Sequence, residues 1–500
     1  MAAITAVLAL LSAAAVRFFY SQGSILYYGD AMAHLNIARR IIDTRTPNWL
    51  QIGTVWLPLP HLLMLPLVRS DELWRSGLAG SIPSAVCYVL GGVLMFLAAR
   101  RMFASGAAGM AACLLFALNP NLLYLQAIPM TESLFLMCFA GVLYTTVRFR
   151  ESQSSAWAAA AGVFALAATL TRYEGWFLLP FVAAYLFIAA QRQRWLPALI
   201  FSIIAGAGPL WWFAHNWWYY GHFLEFYNGP YSAKAIYQRA LDGGMARYPG
   251  DHDWLKATQY FSAAVSLAAG ATLVWIGAIG VIAAFIRKAF WPVLFAALVP
   301  AFYVFSLYSS GTPIFVPHLW PNSYYNTRYA IGALPLLALG GAGLVALAPQ
   351  RFRGFVAALI VAIGIAPWAF YPRPDSWVCW KESQVNSVAR RAWTSTAAKY
   401  LAPRYAQHDG IFTAFGDLAG IYLEAGIPLK ECLHDGNVPH WDAAVKRPDL
   451  FLWEEWVVAI SGDPADTALA RMRQSGPRYD LVETIAVKGA PVIKIYRRNG

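Results

Sequence analysis

The sequence predicts a polytopic α-helical membrane protein with a small α/β domain at its C-terminal end. Of its 500 residues, 59% are apolar and only 13% are charged, and the mean hydropathy is +0.47. These values lie outside the range of soluble globular domains. The apolar residues form long runs, most of them near the roughly 20 residues that a helix needs to cross a bilayer. After about residue 373 the composition becomes mixed, which is typical of a domain with its own core.

The distribution of charge argues against one class of partner, and the positions of the cysteines indicate their environment. The formal net charge is +12, but the basic residues occur as short pairs between apolar runs and form no basic stripe, which argues against a nucleic-acid partner. Cys87, Cys113 and Cys138 lie inside apolar runs, where a thiol behaves as a small buried hydrophobe. Cys379 and Cys432 lie in the C-terminal part and could form one disulfide if that part is outside the cytoplasm.

About eleven apolar runs are expected to span the membrane, two or three of them being short for that purpose. They cover residues 3–20, 81–99, 106–126, 132–147, 156–171, 176–190, 196–213, 263–286, 290–308, 329–348 and 354–371. The first run has no basic segment before it. We therefore expect an uncleaved span and not a signal peptide, although Ser12 to Ala15 resembles a cleavage site.

Basic residues are distributed unevenly between the connections. Every connection that is cytoplasmic when the N-terminus is cytoplasmic carries a basic pair: Arg100 and Arg101, Arg148 and Arg150, Arg192 and Arg194, Arg287 and Lys288, and Arg351 and Arg353. The short connections on the other face carry only Arg172. The positive-inside rule then predicts a cytoplasmic N-terminus, and an odd number of spans places the C-terminal domain outside.

Domain boundaries follow from these spans. We expect a membrane domain at 1–371, with a large first outer loop at 21–80 that contains short helices, and an extracytoplasmic α/β domain at 372–500. In the latter, strand-like runs at 411–415, 449–453 and 492–496 alternate with helical stretches at 418–425 and 463–474. A domain of roughly 125 residues can bury its own core.

An acidic residue follows the first span in the segment Tyr27-Tyr28-Gly29-Asp30. If this segment is helical, His34 lies on the same face as Asp30. Ionisable side chains at a membrane boundary are commonly functional. We interpret Asp30 as the catalytic base and His34 as an auxiliary acid or base. The alternatives are a helix N-cap for Asp30 and a structural hydrogen bond for His34.

Further polar groups collect on the same outer face, which indicates a shared cleft that opens outward. They are Glu132, Arg172, Glu174, His215, Asn216 and Arg328. An arginine at the mouth of a span has the geometry of a bidentate phosphate ligand, so Arg328 is the main candidate for that role and Arg172 the second. Alternatively Arg328 reaches lipid headgroups, Arg172 pairs with Glu174 to close a turn, and Glu132 caps the helix that it opens.

The order of these features resembles the GT-C glycosyltransferases. A large outer loop opens with Asp30, a Pro-x-Thr-Glu motif follows at 129–132, and an Arg-Tyr-x-x-x-x-Leu-Pro segment stands at 328–335. With about eleven spans and an external C-terminal domain, the chain is most similar to the bacterial relatives of protein O-mannosyltransferases and of lipid A aminoarabinose transferase. The resemblance covers residues 1 to about 371.

The resemblance implies transfer of a hexose or pentose from a polyprenyl-phosphate carrier to a lipid, glycan or protein acceptor at the outer face of the cytoplasmic membrane. The first-loop acid of the family matches Asp30, the second-loop acidic position is similar to Glu132, and the phosphate contacts match Arg328 and Arg172. Protein mannosyltransferases have an Asp-Glu pair in the first loop, whereas Ala31 follows Asp30 here. A protein hydroxyl is therefore not specifically implied as the acceptor.

The first loop contains no DxD pair of the kind that holds a metal-bound pyrophosphate. We therefore expect a monophosphate donor and no required metal, the alternative being a divalent cation held by Asp30 and Glu132. The second function considered is a transporter or flippase of lipid-linked sugars. Inverted repeats and broken helices would indicate it. We find neither repeats nor such breaks in the sequence, and the ionisable residues gather at one surface, which favours the enzyme.

Overall fold

The structure is a computed structural model that describes residues 1–309, 311–370 and 376–499. Its first eighteen helices are α1 Ala2–Ser21, α2 Gly29–Arg40, α3 Leu59–Met64, α4 Asp71–Ser76, α5 Leu78–Met102, α6 Gly106–Ala117, α7 Pro120–Gln126, α8 Glu132–Ser152, α9 Ser155–Thr169, α10 Glu174–Ala189, α11 Trp195–Tyr220, α12 Glu225–Asn228, α13 Ala233–Asp242, α14 Trp254–Ala269, α15 Ala271–Ile286, α16 Phe290–Tyr308, α17 Leu334–Leu347 and α18 Arg353–Phe370. Short 3-10 helices lie at Trp49–Ile52, Thr327–Ala333, Gln350–Phe352, Gly416–Leu418 and Leu429–Glu431.

The C-terminal region contains both helices and strands. The helices are α19 Val378–Leu401, α20 Ala419–Ala425, α21 His440–Lys446, α22 Pro448–Phe451 and α23 Pro464–Ala470, and the strands are β1 Ile411–Phe412, β2 Cys432–Leu433, β3 Trp456–Ile460, β4 Arg478–Ile485 and β5 Ile493–Asn499. This confirms the predicted combination of a helical membrane part with a small α/β region.

The chain divides into two compact units. The first contains Met1–Gly23, Thr54–Pro60 and Ser81–Glu382, and the second contains Ser24–Gly53, His61–Gly80 and Ser383–Gly500. Most of the first outer loop therefore groups with the C-terminal region, whereas the sequence analysis placed 21–80 with the membrane domain. The expected boundary between 371 and 372, which is also the end of the last expected span, lies outside the described residues.

The first unit carries the apolar helices of a multi-pass membrane protein. Within the described residues, seven helices are long and apolar enough to cross a membrane, or up to nine if each of two bent pairs counts as one span. Two shorter apolar helices, α9 and α10, occupy the expected spans at 156–171 and 176–190. The expected total of eleven spans stays a prediction.

The expectation of unbroken spans is wrong, because two expected spans are sharply bent. Helices α6 and α7 meet at 67°, and α14 and α15 meet at 109° around Gly270, whose φ of +91° suits a glycine. The amide groups of Asn119 and Asn121 both donate to the carbonyl oxygen of Ala268, at 2.9 and 3.0 Å. Side chains at the start of α7 thus satisfy one of the last carbonyl groups of α14, which a helix otherwise leaves without a partner.

Helices α15 and α17 pack backbone against backbone. A Cβ atom at Gly280 would collide with the carbonyl oxygen of Gly340, and one at Gly340 would collide with the backbone of Gly277. Small residues allow this close approach where lipid provides no hydrophobic driving force between helices. Larger side chains at these glycines would separate the two helices.

The second unit contains a five-stranded mixed sheet with the order β2-β1-β3-β5-β4. Strand β1 pairs in parallel with β2 and β3, while β5 pairs antiparallel with β3 and β4. The expected strand at 449–453 is wrong: these residues fall mainly in α22, and the strand follows at Trp456. Pro448 at the first helical position favours the helix, and Arg447 binds the carboxylate of Asp449 at 3.0 and 2.8 Å.

The first outer loop supplies part of the core of this unit. Leu35 and Ala38 of α2 are fully buried together with Trp393 of α19 and Tyr422 of α20. The loop is also bonded to the region between β1 and β2, because the Asp43 carboxylate accepts the backbone N–H groups of Leu429 and Lys430 at 3.3 and 3.2 Å. Helix α2 is therefore held by residues that lie at the far end of the chain.

Candidate active site

Asp30 lies in the first turn of α2, in the second unit, and its side chain is half-buried. The N-cap position is occupied by Tyr28, whose side chain makes no capping bond, so Asp30 does not take the N-cap role. A carboxylate in the first turn is favoured by the positive end of the helix dipole. Because α2 is helical through His34, the two residues share a face as the spacing predicts.

His34 is paired with a second histidine that the sequence did not single out. Its Nδ1 lies 2.9 Å from Nε2 of His61 on α3, and both rings are buried. Burial lowers the pKa of His61 well below its usual value, and neighbouring His34 and Arg40 act in the same direction. His61 is therefore neutral, and the two imidazoles share one hydrogen bond inside the second unit.

Arg172 lies at the centre of an ionic cluster in the first unit, in the turn between α9 and α10. Its Nε donates to Glu174 Oε1 at 2.7 Å, and its Nη1 donates to Thr131 Oγ1 at 2.6 Å and to Glu132 Oε1 at 3.1 Å. Its Nη2 donates to the hydroxyl oxygen of Tyr303 at 2.8 Å. The Tyr303 hydroxyl in turn donates to Glu174. The turn-closing pair with Glu174 exists, but it is one part of a larger network.

Arg328 joins the same cluster from the 3-10 helix that precedes α17. Its Nε lies 3.3 Å from Glu132 Oε1, and its Nη1 lies 3.8 Å from Oε1 of Glu382. The guanidinium groups of Arg172 and Arg328 both lie over the ring of Tyr329, at 5.1 and 4.9 Å from its centroid. The side chain of Arg328 is only 7% exposed, so it does not reach out to lipid headgroups.

Glu382 holds the start of this 3-10 helix. Its oxygens accept the backbone N–H groups of Asn326 and Thr327 at 2.9 and 2.8 Å and the Thr327 hydroxyl at 2.5 Å. Burial raises the pKa of Glu382, while Arg328 and the bonds from Thr327 and Asn326 oppose that effect. These three groups all donate to Glu382, as they would to a carboxylate.

The charges of the cluster do not cancel. Two guanidinium groups face three carboxylates, those of Glu132, Glu174 and Glu382, so the formal charge of these five groups is −1. Glu132 Oε2 is buried and accepts no hydrogen bond from the described part of the chain. Glu132, Arg172, Tyr303, Arg328 and Tyr329 also line a common cavity, whose remaining walls are mainly apolar. An anion entering this cavity must compete with carboxylates for the arginines.

The structure therefore brings together three of the five expected site residues, Glu132, Arg172 and Arg328. Asp30 and His34 belong to the second unit. His215 packs flat against Trp212 in its own helix, with ring centroids 4.8 Å apart, and Asn216 donates to the Trp212 carbonyl oxygen at 2.9 Å. His215 and Asn216 thus make contacts within their own helix.

Four polar residues of these clusters were not predicted from the sequence: Thr131, Tyr303, His61 and Glu382. Thr131 belongs to the Pro-x-Thr-Glu motif, so the motif could have indicated it as a site residue. Tyr303 lies inside an apolar span, and Glu382 lies in a helix of ordinary composition, so neither has a distinctive local pattern.

Within residues 1–309, 311–370 and 376–499, no group of three or more His, Cys, Asp or Glu side chains is placed to hold a metal ion. Cys379 and Cys432, which could have formed a disulfide, are both free and buried thiols. Burial raises the pKa of Cys432 well above its usual value, which keeps its thiol protonated.

The fold and the two-arginine cluster define a multi-pass membrane protein with a buried ionic site. Residues 74–219, which contain Glu132 and Arg172, match the model of the family described as dolichyl-phosphate-mannose-protein mannosyltransferase. A comparison with curated proteins found no match.

Among solved structures, the chain is similar to ArnT from Cupriavidus metallidurans bound to undecaprenyl phosphate. The TM-score is 0.55 and the identity 17%, over 97% of this chain and 97% of that one. It is also similar to the oligosaccharyltransferase AglB from Archaeoglobus fulgidus in complex with an inhibitory peptide and a dolichol-phosphate, with a TM-score of 0.50 and 13% identity over 92% of this chain and 69% of that one. These likenesses confirm the predicted GT-C fold.

Proposed function

We propose that this protein is a glycosyltransferase that moves a sugar from a polyprenyl-phosphate carrier to an acceptor at the outer face of the cytoplasmic membrane. The observation that carries the proposal is the buried cluster of Glu132, Arg172 and Arg328, which joins two motifs far apart in sequence in a chain with the GT-C fold. Two similar structures contain bound undecaprenyl phosphate and dolichol-phosphate, which supports a lipid phosphate as the carrier.

Each candidate residue has a distinct chemical task in this proposal. The Asp30 carboxylate takes the proton from an acceptor hydroxyl or amine, whose lone pair attacks the anomeric carbon. The bond from that carbon to the phosphate oxygen breaks, and the polyprenyl phosphate leaves from the opposite face, so the configuration inverts. Arg328 and Arg172 stabilise the negative charge that grows on the phosphate, while His34 and Glu132 position the acceptor or assist proton transfer.

The donor joins the lipid to the sugar through a single phosphate, so no metal is required to hold a pyrophosphate. The proposed orientation has a cytoplasmic N-terminus and an extracytoplasmic C-terminal region, supported by the basic pairs of the connections. The sugar and the acceptor, whether lipid, glycan or protein, are left open by this assignment.

The test uses the purified full-length protein in nanodiscs with undecaprenyl-phosphate-linked sugars labelled in the sugar, mannose first, and a membrane extract as the acceptor source. We expect release of undecaprenyl phosphate with wild-type protein, undiminished by EDTA, and none with Asp30→Asn. Asp417→Asn, which changes an exposed aspartate of the second unit, is the matched control. Wild-type turnover by Asp30→Asn would refute the role of Asp30. Movement of intact donor across the membrane without cleavage would instead identify a flippase.

A further inference from the structure

Helix α19 contacts the segment that carries Asp30, within the second unit. Nη2 of Arg390 donates to the carbonyl oxygen of Tyr27 at 2.5 Å and to that of Leu26 at 3.4 Å, and Nη1 donates to Sδ of Met32 at 3.8 Å. These contacts lie on both sides of Asp30 in the sequence. A single guanidinium therefore bridges the chain across the turn in which the candidate base stands.

Two neighbouring residues complete this contact. A Cβ atom at Gly29 would lie 4.0 Å from Nε of Arg390, so the guanidinium runs directly beside the backbone that precedes Asp30. The next residue, Arg391, lies over the ring of Tyr27 at 4.0 Å and donates through Nε to Ser387 Oγ at 3.0 Å. Tyr27 is thus held both by its carbonyl oxygen and by its ring.

The first turn of α2 has no side-chain cap, because its N-cap residue Tyr28 makes no capping bond. Arg390 instead fixes the segment that enters the helix, since it donates to the carbonyl oxygens of Leu26 and Tyr27. The planar guanidinium of Arg390 can donate to several acceptors at once, which the single ammonium of a lysine does less rigidly. Loss of this residue would leave the position of the Asp30 carboxylate much less defined.

We propose that Arg390 is a positioning residue for the reaction at Asp30, so that the C-terminal region forms part of the catalytic apparatus. The proposal rests on the proposed function, because it assigns the geometry of the same carboxylate. Small displacements of a reacting group cost up to about 100-fold in rate, so the expected effect is on kcat and not on donor binding.

The experiment compares full-length wild type, Arg390→Gln, Arg390→Lys and Arg404→Gln in nanodiscs with labelled undecaprenyl-phosphate mannose and a membrane extract as the acceptor source. Arg404 is an exposed arginine of the same unit, and its Nη1 donates to the Tyr400 carbonyl oxygen one turn earlier at 2.8 Å. The Arg404→Gln variant therefore loses the same charge away from Asp30. Hydrogen exchange of residues 26–32 and the Tm are measured in parallel.

We expect Arg390→Gln to lower kcat by about 10- to 100-fold, with the donor KM changed by less than about threefold, and to raise exchange in 26–32. Arg390→Lys should restore part of both quantities, and Arg404→Gln should match wild type. Wild-type kcat in a folded Arg390→Gln variant would overturn the proposal. If that variant does not fold, wild-type kcat and exchange in Arg390→Lys would overturn it equally. The proposed function is tested separately, because it fails if the Asp30→Asn variant still releases undecaprenyl phosphate.

Discussion

Replacing Glu132 by Gln should strengthen binding of the free lipid phosphate. Arg172 Nη1 lies 3.1 Å from Glu132 Oε1, and the glutamine oxygen can still accept this hydrogen bond. The formal charge of the cluster, however, changes from −1 to 0. A phosphate on the far side of either guanidinium would lie roughly 7 Å from the Glu132 carboxylate, where two unit charges repel by about 2 kcal/mol at an effective dielectric constant of about 20. We therefore expect the Kd for undecaprenyl phosphate to fall by about 30-fold.

The assay is equilibrium binding of labelled undecaprenyl phosphate to protein in nanodiscs. Glu151→Gln is the matched control, since it removes the same charge from the other end of α8, where Glu151 pairs with Arg101 at 3.0 Å. The control should leave the Kd unchanged. If Glu132→Gln keeps its Tm and binds the lipid phosphate no more tightly than wild type, Arg172 and Arg328 do not hold the phosphate and the charge argument is refuted.

Three further predictions concern stability, each read by thermal unfolding of the full chain. Gly280→Ala should lose about 2 kcal/mol because its Cβ meets the Gly340 carbonyl, whereas Gly206→Ala, with open space around its Cβ, should lose nothing. Tyr303→Phe should cost about 1–3 kcal/mol because Arg172 and Glu174 each lose a partner, and Tyr308→Phe in the same helix should cost less. His434 accepts the Gly436 N–H through Nδ1 at 3.0 Å, and burial lowers its pKa below 6.5 although Asp435 opposes this. The unfolded chain then binds more protons than the native chain in acid, so stability should be complete above about pH 6.5 and fall below it. His434→Phe should flatten this fall and His440→Gln should not; equal slopes for both variants would contradict the assignment.

The membrane part was predictable from the sequence because long apolar runs have one stable solution in a bilayer, the helix. The bends were not predictable in this way. The expected span at 263–286 is apolar throughout, and only Gly270 marks the point where the chain turns by 109°. Asn119 and Asn121, which donate to Ala268 beside this turn, lie nearly 150 residues earlier in the sequence.

For the candidate site, the sequence predicted residues that stand at the ends of apolar runs. Glu132, Arg172 and Arg328 all meet that description, and the structure joins them directly. His61, Tyr303, Glu382 and Arg390 do not, because each is defined by a partner that is distant in sequence. The predicted role of the two arginines was also incomplete, because Glu382, which lies 3.8 Å from Arg328, could be recognised only in the structure.

The shared core of the first loop and the C-terminal region has a consequence for biosynthesis. Leu35 and Ala38 emerge from the ribosome early, but Trp393 and Tyr422, which bury with them, follow only after the 302 residues between Gly80 and Ser383. At translation rates of about 5–20 residues per second, roughly 15–60 s pass between synthesis of the loop and synthesis of the residues that pack against it. The helix that carries Asp30 can therefore reach its final packing only when the last part of the chain has been made, so a nascent or truncated chain holds the candidate base without the core that supports it.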